Sequence, residues 1–394
     1  MSIGRFEGIA EPLSRIAGFA YLLEAGRRYT LGALDNHIKP PVVTAMMKYY
    51  YTEIQRVCVN DTMDILGGAA ITRGPRNLIS SAYLSTPISI TVEGANILTR
   101  TLIIFGQGAL RAHPYAIKEV NAVDADDLKA FDTAFFGHVG HMTRNIFRAI
   151  ILTFTRGLFV IPFKGGVTSK YYRKLAWASA VFAVLADLAM VTMGGKLKTK
   201  GKTTGRFADI LGGMYFVTAA LKRFDYEGRR KEDEPFFIWS MEYAFHQIQR
   251  GFEGLFSNFE APVLGVVFKY LVRPWWSLSS IGRASSDDLE FKLADLIQTP
   301  GAQRDRLTDG IFHSTNQDDV MAKLERAFKM THSSDEVSRK VRKAVKKGTI
   351  KKQPAAQLYT AAVEANVITR EEFESIDESV KLSDAAIQAT IGAE

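Results

Sequence analysis

The sequence contains a single cysteine, Cys58, among 394 residues. One thiol excludes an internal disulfide and any metal site built from several cysteines. The scarcity of cysteine fits a reducing compartment, so we expect a cytoplasmic protein. Residues 1–16 lack a charged start followed by an apolar core. The sequence therefore predicts no secretory signal peptide.

Strand-like patterns are also scarce, because apolar and polar residues do not alternate over any sustained stretch. The sequence also contains no short-period repeat. Apolar residues instead recur every three or four positions, which is the spacing of an amphipathic helix. The sequence therefore predicts an all-α protein. The predicted helices cover residues 8–34, 42–66, about 96–112, 128–163, 167–194, 206–224 and 234–260.

Paired glycines mark two of the predicted helix ends, Gly67-Gly68 and Gly194-Gly195. The second pair follows the most apolar stretch, residues 175–193, which is near the length that a bilayer requires. This stretch carries Asp187 and is rich in alanine. We therefore interpret it as a helix buried in a bundle.

Acidic residues are fewer than basic ones, 42 against 50, and the net charge of +8 favours an anionic partner. Residues 338–352 contain eight of the basic side chains. They predict either a lipid-facing patch or a solvated helix whose charge nearby acids offset. No aromatic residue lies between them, so nucleic acid is a poor candidate partner. The eight are Arg339, Lys340, Arg342, Lys343, Lys346, Lys347, Lys351 and Lys352.

No metal site and no glycine-rich dinucleotide motif are predicted. The seven histidines are scattered, and although His138 and His141 would share one helix face, the sequence shows no third ligand beside them. A GxGxxG motif is absent. Trp275-Trp276 would suit either a membrane-interface anchor or a packed corner between helices.

Glu93 is a lone carboxylate between residues 81–90, SAYLSTPISI, which look short and extended, and the start of the next helix. No lysine or arginine occurs within five residues of it, and its flanks are small or apolar. A carboxylate that loses water without gaining a local cation accepts a proton more readily, as a general base must. The alternative is a charge that complements the helix dipole. Gly94 would let a flat ligand approach the backbone.

These elements resemble the C-terminal part of an acyl-CoA dehydrogenase. The resemblance is carried by the order and spacing of Gly67-Gly68, Arg73-Gly74-Pro75 and Glu93-Gly94, with Arg100 seven residues after the glutamate. The continuation from about residue 122 resembles the extra domain of bacterial long-chain acyl-CoA dehydrogenases.

The resemblance implies two helical domains. Residues 1–115 would be a C-terminal helical bundle that lacks its first helix, and residues 122–394 would be the appended, bundle-like domain. The family's N-terminal helical domain and β-barrel would then belong to an N-terminal half that this chain needs. Without that half, apolar residues of the bundle should be exposed and favour homo-oligomers. We expect this of Ile16, Phe19, Tyr21, Leu22, Met46 and Tyr50.

The resemblance also implies FAD-dependent dehydrogenation of a fatty acyl-CoA to a trans-2-enoyl-CoA in β-oxidation, with a separate electron acceptor. Glu93 matches the base that removes the α-proton while hydride passes to flavin N5. Its backbone N–H and a ribityl hydroxyl of the flavin would hold the thioester oxygen.

Further site residues follow from the same resemblance. The predicted cofactor-binding residues are Gly67, Gly68, Gly94 and Ala95, and the predicted substrate-binding residues are Glu93, Gly94 and Arg100. Two positions depart from the family pattern, Asp64 where glutamine is frequent and Ala95 where threonine is frequent. The alternative function is a non-catalytic helical module for dimerisation or for contact with a membrane surface, such as the inner membrane.

Overall fold

The computed structural model describes residues 3–72, Gly74 and residues 77–387. Arg73 and Pro75, two positions of the family pattern, lie outside the described residues. Every regular element in the described part of the chain is helical, so the all-α prediction is confirmed. The first helices are α1 (Glu7–Asp35), α2 (Val43–Leu66), α3 (Gly68–Ile71), α4 (Leu78–Thr91), α5 (Asn96–Leu98), α6 (Gly108–Ala112), α7 (Ala116–Asp124) and α8 (Leu128–Thr155).

A π-helical segment, Thr99–Gln107, joins α5 to α6 without a break. The helices that follow are α9 (Ser169–Met193), α10 (Gly201–Tyr226), α11 (Glu234–Asn258), α12 (Pro262–Val267), α13 (Arg273–Leu278), α14 (Asp287–Ile297), α15 (Ala302–Leu307), α16 (Val320–Lys346), α17 (Ala355–Glu364) and α18 (Arg370–Ile387). Shorter 3-10 and π segments are Ile3–Arg5, Gly166–Thr168, Gly194–Thr199 and Phe268–Val272.

Local chemistry explains where two sequence predictions fail. The helix predicted over 128–163 ends at Thr155, because Arg156 and Gly157 take left-handed conformations with φ of 52° and 78°. The extended interpretation of residues 81–90 is wrong, because they lie inside α4. The side-chain oxygen of Asn77 accepts a 3.1 Å hydrogen bond from the amide of Ser80 and so caps the first turn of that helix.

The helices form two compact units. The larger unit comprises residues 3–58 and 85–294, and the smaller comprises the described residues of 59–84 and 295–387. Within the larger unit, α10 and α11 pack directly on α1. The interface is tight: a Cβ atom on Gly18 would lie 2.1 Å from the indole of Trp239. The domains predicted over residues 1–115 and 122–394 stay a prediction.

The predicted exposed apolar surface of the bundle is wrong. Of its members, Phe19, Tyr21, Leu22 and Met46 are each at most 3% exposed, and Ile16 and Tyr50 are half-buried. The ring of Phe19 meets that of Trp239 edge-on at 5.1 Å between centroids. Helices α10 and α11 thus cover the apolar face that the sequence predicts to be open.

One helical stretch in the described residues, Gly166–Thr199, is long and apolar enough to cross a membrane, and 44% of its most apolar window is buried. The bent pair Leu78–Thr91 and Asn96–Ala112 meets the same criterion only when taken together. Trp276 is a packed corner residue, 1% exposed, with its ring 4.8 Å from that of Trp177, whereas Trp275 is 39% exposed.

The smaller unit packs α16, α17 and α18 around Val341, Ala362 and Ile368. The basic residues of α16 face water and acids: Lys340 lies 2.6 Å from Glu372, and Arg339 and Arg342 both pair with Asp335. These pairs agree with the interpretation of a solvated helix whose charge is offset. Lys343, Lys346 and Lys347 are on or directly after its last turn.

Candidate functional site

A strained turn separates α4 from α5 and carries Glu93. Glu93 has φ of 51° and Gly94 has φ of 88°, so two consecutive residues are left-handed. Glutamate rarely adopts this conformation, because its Cβ approaches backbone atoms. Such strain persists only where the surrounding structure imposes it, which makes the turn a candidate functional element. The Glu93 side chain is exposed at the surface of the described chain.

Two polar side chains hold the carbonyl group of this turn in place. Lys48 on α2 donates hydrogen bonds of 2.8 Å to the carbonyl oxygen of Gly94 and to Oδ1 of Asn96. The hydroxyl of Thr99 also donates to the Gly94 carbonyl, at 3.1 Å, and the Thr99 amide donates to Ala95 at 2.9 Å. The backbone around Glu93 is therefore fixed from both sides.

Asn96 connects the same turn to α2. It is 6% exposed, and its amide nitrogen lies 2.8 Å from both Thr52 Oγ1 and Glu53 Oε1. Glu53 in turn forms an ion pair with Arg56. The sequence analysis did not identify Lys48, Glu53 or Asn96. Lys48 was detectable only as the one cation in the apolar and aromatic run AMMKYYY.

A cleft of about 380 Å³ lies beside this turn. Ala95 and Arg100 line it, together with Tyr49, Glu53, Arg56, Ile90, Thr91, Asn96, Ile97 and Thr101. The structure thus brings two of the predicted site residues to one cleft. Glu93 and Gly94 lie on the turn beside the cleft, and neither is among the residues that line it.

The guanidinium of Arg100 is engaged within the chain. It donates two parallel hydrogen bonds to the carboxylate of Asp209 on α10, with Nε 2.8 Å from Oδ1 and Nη2 2.5 Å from Oδ2. These bonds raise the pKa of Arg100 above its ordinary value. This fork holds the π-helical segment against α10. A role of Arg100 in substrate binding stays a prediction.

Gly67 and Gly68 belong to the smaller unit and mark the end of α2 as predicted. Gly67 has φ of 56°, and its amide donates to the Met63 carbonyl at 2.9 Å. Both glycines are exposed, and a Cβ on either would meet no atom within 4 Å. Contact of this backbone with FAD stays a prediction.

Comparisons with known proteins identify the family. The family model described as "Acyl-CoA dehydrogenase, C-terminal domain" matches residues 2–105, and the one described as "Acyl-CoA dehydrogenase, C-terminal, bacterial type" matches residues 110–390. The fold is similar to a crystal structure of an acyl-CoA dehydrogenase complexed with FAD from Bacillus anthracis, with 16% identity and a TM-score of 0.55. The match covers 75% of this chain and 49% of that one. The chain therefore belongs to the acyl-CoA dehydrogenase family and is similar to the C-terminal part of its bacterial type.

Proposed function

We propose that this chain supplies the catalytic base of an FAD-dependent acyl-CoA dehydrogenase, with Glu93 taking the α-proton of a fatty acyl-CoA. The conformation of the Glu93 turn carries the proposal. Glu93 and Gly94 are both left-handed, and Lys48 fixes the turn through the Gly94 carbonyl. A proton acceptor works best when it is held at one point relative to the reacting carbon.

The backbone of the same residue supports a second role. Within the described residues, the amide N–H of Glu93 donates no hydrogen bond. A free N–H beside the base suits the thioester oxygen, which gains negative charge as the α-proton leaves. One residue would therefore accept the proton and stabilise the resulting enolate.

Several chain residues fit the flavin that the proposal requires. FAD, when bound, supplies the acceptor for the hydride from the β-carbon, so the product would be a trans-2-enoyl-CoA. Gly67 and Gly68 of the smaller unit offer an exposed backbone with open space around it, which would suit the FAD of a neighbouring subunit. Ala95 lines the cleft beside the turn. Gly94 has no side chain, so a flat ligand could approach the backbone at that position.

The exposure of Glu93 calls for a partner surface. The chain spans about half the length of the solved structure that it resembles. We propose that a flavin-binding N-terminal half, or a second copy of the chain, covers the turn and excludes water from the carboxylate. A separate electron acceptor would then reoxidise the flavin.

Replacing Glu93 by glutamine in the complete enzyme tests the proposal. Glutamine keeps the shape of the side chain but cannot accept the proton, so flavin bleaching by a saturated acyl-CoA should slow by roughly 10²- to 10⁴-fold. FAD content and acyl-CoA binding should stay unchanged. Glu7→Gln, in the first turn of α1, is the matched control and should bleach at the wild-type rate. Bleaching by Glu93→Gln at that same rate would exclude Glu93 as the base.

A second candidate function is a non-catalytic one, docking on a partner chain or a membrane surface. The observation that favours it is the exposed apolar stretch that follows α8, in which Phe159, Ile161 and Phe163 are 74%, 92% and 94% exposed. Anionic vesicles should then co-sediment the chain, and Phe163→Ser should release it. The same assay tests peripheral contact at the inner membrane through Arg339, Lys340, Arg342, Lys343, Lys346 and Lys347, whose neutralisation should also release the chain.

A further inference from the structure

We propose that the larger unit binds a divalent transition-metal cation, with Zn²⁺ as the first candidate, between His113, His138 and Asp187. One nitrogen of each histidine and one carboxylate oxygen all lie within 4.8 Å of one another. Oδ1 of Asp187 is 3.0 Å from Nε2 of His113 and 3.7 Å from Nε2 of His138. Ligand atoms around one tetrahedral zinc ion are separated by roughly 3.4 Å, given bonds of about 2.1 Å.

Three buried polar atoms around this space form no hydrogen bond of acceptable geometry with the described residues, although Nε2 of His113 and Oδ1 of Asp187 approach to 3.0 Å. Asp187 is 1% exposed, and neither of its oxygens accepts a hydrogen bond of acceptable geometry from the described residues. Nε2 of His113 is buried and unsatisfied in the same sense. A buried carboxylate without compensation is costly, and a bound cation would supply that compensation.

A second carboxylate, that of Glu119, lies beside the Nδ1 atom of His138. Nδ1 of His138 lies 2.8 Å from Oε1 of Glu119 on α7. An N–H donated from Nδ1 leaves the lone pair on Nε2, the atom that faces Asp187. A carboxylate that orients a histidine in this way is the usual support of a metal ligand.

The ring of His113 would have to change its tautomer to bind the cation. Its Nδ1 accepts hydrogen bonds from the amides of Tyr115 and Ala116, at 3.2 and 3.0 Å, so the neutral ring carries its proton on Nε2. A cation at Nε2 needs the lone pair of that atom, so binding would move the ring proton to Nδ1 and break the two amide hydrogen bonds. Two imidazoles and one carboxylate suit zinc and related transition metals better than magnesium or calcium.

The sequence predicted no metal site because no third ligand stood near His138 and His141. The third ligand is Asp187, which packing of α8 on α9 brings to His138. His141 has a different partner, since its Nε2 lies 2.9 Å from Nδ2 of Asn145. The proposed cation would tie α8 and α9 to the segment before α7.

Titration calorimetry of the full chain with ZnCl₂, after treatment with a chelator, tests the site. We expect one zinc per chain and an upward shift of the melting temperature. Asp187→Asn should weaken binding by at least 100-fold. Glu119→Gln, which alters only the support of His138, should weaken it by about 10- to 100-fold. His332→Gln, at an exposed histidine of α16, is the matched control.

Cobalt substitution gives an independent measurement if Asp187→Asn fails to fold. Co²⁺ bound by two imidazoles and a carboxylate should give visible d–d absorption bands, and Glu119→Gln should shift them. Absence of stoichiometric zinc binding, or equal affinity in Glu119→Gln and wild type together with unchanged cobalt bands, would overturn the proposal.

Discussion

The ammonium nitrogen of Lys48 lies 2.8 Å from the carbonyl oxygen of Gly94, in the turn that presents Glu93. A cation from α2 therefore fixes a backbone group that is adjacent in sequence to the proposed base. The same nitrogen is 2.8 Å from Oδ1 of Asn96 at the start of α5. Lys48 thus positions the turn without contacting the Glu93 carboxylate.

Lys48→Met should loosen this turn and reduce both stability and activity. A lost charge-assisted hydrogen bond costs about 1.5–3 kcal/mol, which urea unfolding would measure. In the complete enzyme, the rate of flavin reduction should fall by roughly tenfold because the base loses its fixed position. Lys39→Met, at an exposed lysine, is the control and should change neither quantity. A wild-type reduction rate in Lys48→Met would contradict the positioning role.

Gly94→Ala should be destabilising by about 1–3 kcal/mol. Its φ of 88° is unfavourable for alanine, and a Cβ there would lie 3.1 Å from the Thr99 hydroxyl oxygen. Gly140→Ala in α8 makes the matched comparison, because no atom lies within 4 Å of its Cβ position. Alanine there should be stabilising by about 0.5–1 kcal/mol. Equal melting temperatures for the two variants would refute this difference.

Gly18→Ala should show whether α11 closes the bundle on α1. A Cβ at this position would lie 2.1 Å from the indole of Trp239, so the two helices must separate, at a cost of about 1–3 kcal/mol. Gly8→Ala, also in α1, meets no atom within 4 Å and serves as the control. Thermal unfolding followed by tryptophan fluorescence measures both. If Gly18→Ala and Gly8→Ala have the same melting temperature, Gly18 does not pack closely against Trp239 of α11.

Glu325→Gln should remove a stabilising contribution that depends on pH. Hydrogen bonds from Arg304 lower the pKa of Glu325 below its ordinary value of 4.5. A folded pKa below the unfolded one means that the charged glutamate stabilises above pH 4.5, and that this contribution is lost as the pH falls through the folded pKa. The urea midpoints of variant and wild type should therefore differ at pH 7 and converge as the pH falls through the folded pKa of Glu325. Glu364→Gln, at an exposed residue of α17, should show no such convergence.

Much of the local structure could be predicted from the sequence, because helices follow from residue spacing and their ends from glycine. Helix α1 was predicted over 8–34 and observed over Glu7–Asp35, and α2 stops before Gly67-Gly68. Residues 81–90 were misinterpreted because serine, threonine and proline disfavour helices. The cap from Asn77 and the surrounding structure override that preference.

The candidate site, like the fold, could be predicted from the sequence only in part. Glu93 and Gly94 could be identified from a motif and its spacing, since the turn is local. Their partners could not, because Lys48 is 46 residues from Gly94 and Arg100 is 109 residues from Asp209. Spacing along the chain carries no information about such pairs.

By itself, the sequence determined an all-helical chain of the acyl-CoA dehydrogenase type and the position of the Glu93 turn, because helical periodicity and a short motif are properties of neighbouring residues. The tertiary structure alone decided that α10 and α11 cover the apolar face of α1, that Lys48 holds the turn, and that His113 and Asp187 meet. The physical reason is that many apolar helix faces have similar compositions, so the sequence does not show which of them pack together. Only close packing, such as that of Gly18 against Trp239, selects which two of them join.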